Sequence, residues 1–451
     1  MLTIAEAAAA LGCHYQGEDK QITGAQIDSR KIKPNQLFVA VKGQKTDGHD
    51  YLEAASQAGA SVALVSTLQA FPMPQLVVDD VIDAFGRLAA LWRQKCDCTV
   101  IGITGSNGKT TVKEMLATVL GLYAETVATE GNLNNHFGVP LTLFRLQPST
   151  QYAVVEMGIS QLGDMRQLVE WVQPTVALIT NIGPAHIAGL GSEASIAKEK
   201  GLIFSCLTEQ GVAIVNADMP YCDQWQAQLT QQTVVSFGVE KPADYGASKI
   251  QQEISTGQQF EVAYQEGVMT VSLSLLGEHN RANALASVAV CDVLAIPQPY
   301  VIDGLALMTS PPHRLQPLAG PHNATLLDDS YNANVASYQQ ALKVLTALPG
   351  RHWLVLGDFG ELGERAGEIH CQLGQQAKKQ GVEKLLTIGQ LSAGASQAFG
   401  PNGYHYSDIS ALLAYLQQHL VKDVICLIKA SRLMQLDKLV AQLAVSEESS
   451  C

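Results

Sequence analysis

The chain of 451 residues is poor in positive charge, and it has no long apolar run and no cysteines at metal-binding spacing. Lysine and arginine number 29 against 42 acidic residues, so the formal charge is 29 − 42 = −13. No Lys/Arg cluster stands out, which argues against a nucleic-acid surface, because phosphate-backbone binding needs grouped cations. No stretch reaches the ~18 consecutive apolar residues of a membrane-spanning helix, so no membrane insertion is expected. The nine cysteines are scattered, and only Cys96 and Cys98 lie close, as Cys-Asp-Cys. That is not a zinc-knuckle spacing, and buried thiols in a reduced, cytoplasmic protein are the expectation. "ALGC" near the N-terminus faintly resembles a lipoprotein cleavage site. It lacks a basic leader, however, and Glu6 interrupts the apolar run, so a short Ala-rich surface helix is expected instead. Internal repeats and low-complexity tracts are also missing, and 47% hydrophobic with 16% charged residues is globular composition.

What is present is α/β patterning spread over more chain than one core uses, so two or three domains are expected. Residues 1–97 mix short strands and helices: "GAQIDSRKIKPNQLFVAVKG" alternates apolar and polar residues about a Pro34-Asn35 turn, and "YLEAASQAGASVALV" reads as helix, glycine, strand. From Cys98 to residue 312 the pattern becomes strand–loop–helix. "CTVIGIT", "YAVVEMG" and "VALITNIG" are short apolar runs suited to strands buried on both faces of a mainly parallel sheet. "MTSPPHRLQP" marks a linker. Beyond it, from 313 to 451, "HWLVLGD", "KLLTIG" and "DVICLIKAS" alternate with helical segments such as "YQQALKVLTAL", as in a second α/β sheet.

The chemistry-bearing segment is "IGITGSNGKTT", Ile101 to Thr111. It misses the ordinary phosphate-loop spacing by one residue, since Ile103 stands where that pattern has its first glycine. Gly105, Ser106, Asn107 and Gly108 nevertheless make a tight turn between a buried strand and a helix opening with Lys109, Thr110 and Thr111. Backbone N–H groups at such a helix start attract anions. Lys109 suits the β- and γ-phosphates, and the Thr110 hydroxyl suits Mg²⁺. Glu156 ends the apolar strand Tyr152 to Val155, where a metal-facing carboxylate would stand, and His186 follows another strand end on the same sheet edge. Lys200 in "SIAKEKGLIF" reads, on its own, as a solvated helix lysine like Lys198. "GDFGELGE" contains Asp-Phe-Gly, but a kinase also needs a glycine-rich loop, a strand lysine and an His-Arg-Asp loop, and the only His-Arg pair, His313-Arg314, continues Leu-Gln. "LLDDSYNAN" is a polar turn dense enough in hydrogen-bonding groups to suggest ligand contact. A nucleotide switch without ligation remains an alternative from the loop alone.

Together these pieces resemble the Mur ligase family of ATP-dependent amide-forming enzymes, across all three inferred domains. The likeness rests on TGSNGKTT, Glu156, His186, "GEHNRANALA", Arg314, "DDSYNAN", "GNLNNHFGVP", "GDFGELG" and the N-terminal "DSRKIKPNQLFVAVKGQKTDGHDY". The resemblance implies a small α/β UDP-binding domain, a central P-loop-type ATPase domain and a Rossmann-like C-terminal domain, acting as a monomer. The substrates it implies are ATP, a UDP-N-acetylmuramoyl-tripeptide and D-alanyl-D-alanine; a sister ligase with another amino-acid acceptor is the nearest alternative. It further implies two Mg²⁺ ions, the first at Thr110 and Glu156 and the second at His186 and a carbamylated Lys200, chosen over Lys198 because Phe204 follows four residues on. Asn280 and Asn283 would meet the adenine side, with Arg314 and Asp329 reaching ATP across the cleft. Ser29, Arg30, Lys42 and Gly43 would hold the UDP end. Asn132, Asn134, Asn135 and, on spacing from Glu156, Arg166 would line the donor peptide, and Tyr331, Asn332 and Asn334 the dipeptide. Ala430 and Val335 depart from the usual Gly and Pro of the family and put local loop geometry in question.

Overall fold

The computed structural model describes residues 1–43, 46–183, 187–253, 257–264, 267–360 and 362–445. The described residues form four sheets in sequence order. The first is parallel, β1 (Ala25–Gln26), β2 (Leu37–Val39), β3 (Val62–Val65) and β4 (Gln75–Val77), in the order β1-β2-β3-β4. The expected helix–glycine–strand unit is there, as the helix Leu52–Gln57, Gly59 and β3. The Ala-rich N-terminus is the helix Ile4–Leu11, closed by a capping box between Thr3 and Glu6.

The second sheet holds β5 (Thr99–Thr104), β6 (Thr126–Ala128), β7 (Tyr152–Glu156), β8 (Val176–Ile179), β9 (Val212–Asn216) and β10 (Thr233–Phe237). Its order is β10-β9-β8-β5-β7-β6, and every pairing is parallel. The chain leaves β5 towards the β6 edge and leaves β8 towards the β10 edge. The loops after these two adjacent strands therefore diverge and open a crevice at their carboxyl ends, the ordinary ligand position on such sheets.

A third sheet, the antiparallel meander β11 (Ala247–Glu253), β12 (Gly257–Tyr264) and β13 (Gly267–Leu273), was not expected from the sequence. It covers the apolar side of the helix Glu278–Val293: Phe260, Val262, Met269 and Val271 share one core with Ala284, Leu285 and Val288. The fourth sheet, in the order β14-β15-β19-β16-β17-β18, runs through β14 (Gln316–Ala319), β15 (Thr325–Asp329), β16 (Arg351–Gly357), β17 (Lys384–Ile388), β18 (Gly403–Tyr406) and β19 (Val424–Lys429). Only β14 is antiparallel to its neighbour. Separate apolar clusters cover its two faces, as a doubly covered sheet requires.

The first and second sheets share one continuous core. The helix Val81–Gln94 bridges them, with Phe85 stacked on Phe144 at 5.6 Å between centroids and Trp92 Nε1 donating to the Leu146 carbonyl at 3.0 Å. Among the described residues no helix is long and apolar enough to cross a membrane.

Candidate active site

Gly105 and Gly108 set the shape of the loop between β5 and the helix Lys109–Tyr123. Their φ values are +151° and +80°, conformations that L side chains rarely adopt. A Cβ on Gly105 would lie 1.9 Å from Thr180 Oγ1, and one on Gly108 would lie 2.5 Å from Asn283 Oδ1. The end of β8 clamps the loop. Ser106 N donates to the Asn181 carbonyl and Asn107 N to Asn181 Oδ1, both at 2.9 Å, while Thr180 Oγ1 donates to the Asn107 carbonyl at 2.6 Å. Ser106 Oγ exchanges 2.9 Å bonds with Gly183. Among the described residues no side chain caps the helix that follows, so the N–H groups of its first turn, at the cleft, are left for an anion to satisfy.

Lys109 Nζ donates to the Gly105 carbonyl at 2.7 Å. Desolvation pushes its ammonium below the usual lysine range; Glu156 opposes that shift and Arg314 adds to it. Glu156, at the end of β7, is 1% exposed. Its Oε1 accepts from Asn134 Nδ2 at 2.7 Å and Thr110 Oγ1 at 3.3 Å, and its backbone N–H is held by Thr129 Oγ1 at 3.0 Å. Its Oε2 is buried with no protein partner among the described residues. A buried carboxylate oxygen without a donor, next to a threonine hydroxyl, is an oxygen set that suits a hard divalent cation.

Lys200 departs from the bland reading of its helix. It is 1% exposed in the helix Glu193–Gly201, whereas Lys198 is exposed. Burial drives its pKa well below the usual lysine value and Lys109 adds to the shift, with Glu156 and Glu199 opposing. His186 lies outside the described residues.

The fourth sheet supplies the opposite wall. Arg314 Nη2 donates to Thr110 Oγ1 at 3.3 Å, and its guanidinium lies 4.4 Å from the centre of the Tyr331 ring. Asp329, at the end of β15, accepts from Leu315 N at 3.2 Å and pairs with Lys429 Nζ at 2.5 Å. Burial raises the Asp329 pKa, and Lys429 opposes the shift. Lys429 also donates to the Asn332 carbonyl at 3.1 Å. Asn334 caps the helix Val335–Ala347 and reaches across to donate to Asn107 Oδ1 at 2.9 Å.

These walls enclose a cleft of about 820 Å³. Lining it are Ser106 to Thr111, Glu156, Arg314, Asp329, Asn280 and Asn283, together with Asn132, Asn134, Asn135, Tyr331, Asn332 and Asn334. Asn280 and Asn283 are joined at 3.2 Å, one helical turn apart. Arg166 is exposed on the helix Asp164–Val172 and does not line the cleft. Ser29, Arg30, Lys42 and Gly43 lie outside it as well, with Arg30 held by Asp28 through bonds of 2.9 and 2.8 Å. Sequence reasoning missed Thr180, Asn181, Thr129 and Lys429. The one legible signal was a lysine closing the apolar strand "VICLIK".

A carboxylate and a lysine at a phosphate loop, faced by an arginine and an aspartate from a second sheet, define a nucleotide-dependent group-transfer site. The chain belongs to the Mur ligase family. Residues 21–93 match its catalytic domain, 103–291 its middle domain and 313–432 its glutamate ligase domain. The UDP-N-acetylmuramoyl-tripeptide–D-alanyl-D-alanine ligase of Escherichia coli K12 is 39% identical, over 100% of this chain and 99% of its own. The enzyme of that name from Bacillus subtilis 168 is 34% identical, over 96% and 95%. Among solved structures, MurF of Acinetobacter baumannii superposes with TM-score 0.90 at 31% identity, covering 98% of each chain. MurF of Thermotoga maritima in complex with ADP superposes at 0.82 and 25% identity, over 93% of this chain and 96% of that one.

Proposed function

We propose that this chain joins D-alanyl-D-alanine to UDP-N-acetylmuramoyl-tripeptide at the expense of ATP, in the cytoplasm. The observation that carries this reading is the cleft itself, in which Lys109, Thr110 and Glu156 of one wall face Arg314 and Asp329 of the other; the full-length relatives that bear this activity in their names support it. A carboxylate does not acylate an amine at neutral pH. One oxygen of the tripeptide carboxylate therefore attacks the γ-phosphorus and ADP leaves. The dipeptide amine then attacks the acyl carbon, inorganic phosphate departs, and the amine's extra proton passes to solvent.

Lys109 and the loop amides hold the phosphates and offset the repulsion between two anions. Arg314, bonded to Thr110, brings positive charge from the second wall. Thr110 and Glu156 would hold one Mg²⁺, and Lys200, carbamylated by CO₂, would serve a second together with His186. Bound there, the metal would neutralise phosphate charge. A depressed lysine pKa favours the neutral amine that CO₂ requires. Asn280 and Asn283 take the adenine side, and Asn132, Asn134 and Asn135 the donor peptide. Tyr331, Asn332 and Asn334 lie towards the dipeptide. The UDP end rests on Ser29, Arg30, Lys42 and Gly43 of the first sheet's domain, with boundaries near residues 97 and 312. Arg166, exposed, would meet only a donor peptide extending beyond the cleft. Phosphate release from ATP tests the reading. Release that requires both the UDP-tripeptide and D-alanyl-D-alanine is the expected result; equal release with neither substrate refutes it.

A further inference from the structure

Among the described residues, the cleft is lined by six side chains able to carry positive charge: Lys109, His136, His279, Arg314, Lys429 and Arg432. Three are bonded within the site, two each face one carboxylate, and His279 is neutral. Lys109 belongs to the phosphate loop, and Arg314 is bonded to Thr110 beside it. Lys429 is neutralised by Asp329. His136 lies 3.8 Å from Asp164 on the far wall. Burial pushes His279 down to about 4, so it is uncharged at neutral pH.

Arg432 is the sixth. It opens the short turn Arg432–Met434 directly after β19, and its side chain is 55% exposed. Asp437 engages one end of it, at 3.1 Å from Nη1, and no other hydrogen bond to its guanidinium is recorded among the described residues. Arginine offers five donors in a planar fork, so this contact orients the group and leaves donors over. The backbone beneath it is fixed: Ser431 N and Oγ donate to the Asp358 carbonyl at 3.1 and 2.7 Å, and Gly360 N donates to Ser431 Oγ at 2.6 Å. The guanidinium lies 5.8 Å from the ring centre of Tyr331, which Arg314 also approaches. Arg432 is thus a rigidly mounted cation beside the nucleotide-facing arginine and outside the phosphate loop.

The acceptor in the proposed reaction has a matching requirement. Its amine must face the acyl phosphate, while its free carboxylate points away and needs a cation. We infer that Arg432 binds the terminal carboxylate of the acceptor dipeptide and so selects a free acid and sets its orientation. This rests on the ligase reading above.

The test is steady-state kinetics on the full chain with two acceptors, D-alanyl-D-alanine and its C-terminal amide. Wild-type protein should use the amide with a KM at least about tenfold higher, since a charge-assisted pair is lost. R432Q should raise the KM for the dipeptide about tenfold to a hundredfold while the KM for ATP and for the UDP-tripeptide holds, and the preference for acid over amide should collapse. R432K should recover part of that preference. Wild-type protein that accepts amide and acid equally would overturn the inference without any variant, as would an R432Q that weakens both acceptors by the same factor. Wild-type protein that ligates no dipeptide at all would refute the ligase reading instead.

Discussion

Removing the charge at Lys200 should separate folding from activity. The ammonium is 1% exposed, and burial together with Lys109 holds its pKa well below the ordinary value of 10.5. Between that depressed pKa and 10.5 the unfolded chain binds a proton that the folded chain does not, so stability rises with pH through the window. The slope is at most about 1.4 kcal/mol per pH unit for one group. Below the folded pKa the folded state bears the full cost of a buried cation. Methionine has similar length and no charge, so Lys200→Met should be the more stable protein at low pH, and its advantage should shrink as pH rises. Urea midpoints for both proteins from about pH 6 to about pH 9, in buffers stripped of CO₂, measure this. A difference that does not change with pH would show that Lys200 stays protonated and would remove the physical case for a carbamate. Adding ¹³C-bicarbonate should then give a carbamate carbon resonance in the wild-type protein that is missing from Lys200→Met. Ligation should be lost in Lys200→Ala and partly restored by short carboxylic acids that fit the vacated space. Full activity of Lys200→Ala with no acid added would refute the second-metal assignment.

Gly108→Ala should cost about 1–2 kcal/mol from its φ of +80° alone, and more because the new Cβ displaces Asn283. Chemical denaturation of the double variant with Asn283→Ala should recover the clash component only. Asp329→Asn leaves Lys429 buried without its partner and should destabilise by about 3–5 kcal/mol, whereas Asp329→Asn with Lys429→Met should regain most of that. A single variant as stable as the wild-type protein in thermal melts would show that the pair is solvated and not buried.

The central loop was legible because its signal is local. A buried strand, two glycines and a Gly-Lys-Thr-Thr run fall within eleven residues, and the helix begins at Lys109 as read. Glu156 was legible for the same reason, closing an apolar strand at the carboxyl edge where such sheets bind ligands, whereas Asp329, which ends β15, was read only as part of a polar turn and took its role from the family likeness. Lys200 was not legible: Lys198 and Lys200 lie in one helix with nothing local to distinguish them. Burial of Lys200 comes from the fold around it, and only family likeness pointed there. The meander escaped for a different reason. β13 alternates buried and exposed residues visibly, but β11 carries a register shift between Ser248 and Gln251, which breaks the period-two pattern. Lys429 and Arg432 look equivalent in "IKASR". Their difference is set by Asp329, a hundred positions away in sequence, which pairs with buried Lys429, whereas the exposed Arg432 pairs with Asp437 close by.

The same separation in sequence explains why the cleft needs both walls. Arg314 meets Thr110 across 204 residues, and Asn334 meets Asn107 across 227. Both contacts end on the phosphate loop or the first turn of its helix, so the position of the fourth sheet is read at the atoms that would hold the nucleotide. Each is a single, partly buried hydrogen bond, worth on the order of 1 kcal/mol, so two of them bias the placement of the wall without locking it. Nucleotide phosphates on Lys109 and the loop amides would add Arg314 as a further shared ligand. Closure and nucleotide binding would then favour one another by whatever Arg314 gains on meeting phosphate in addition to Thr110.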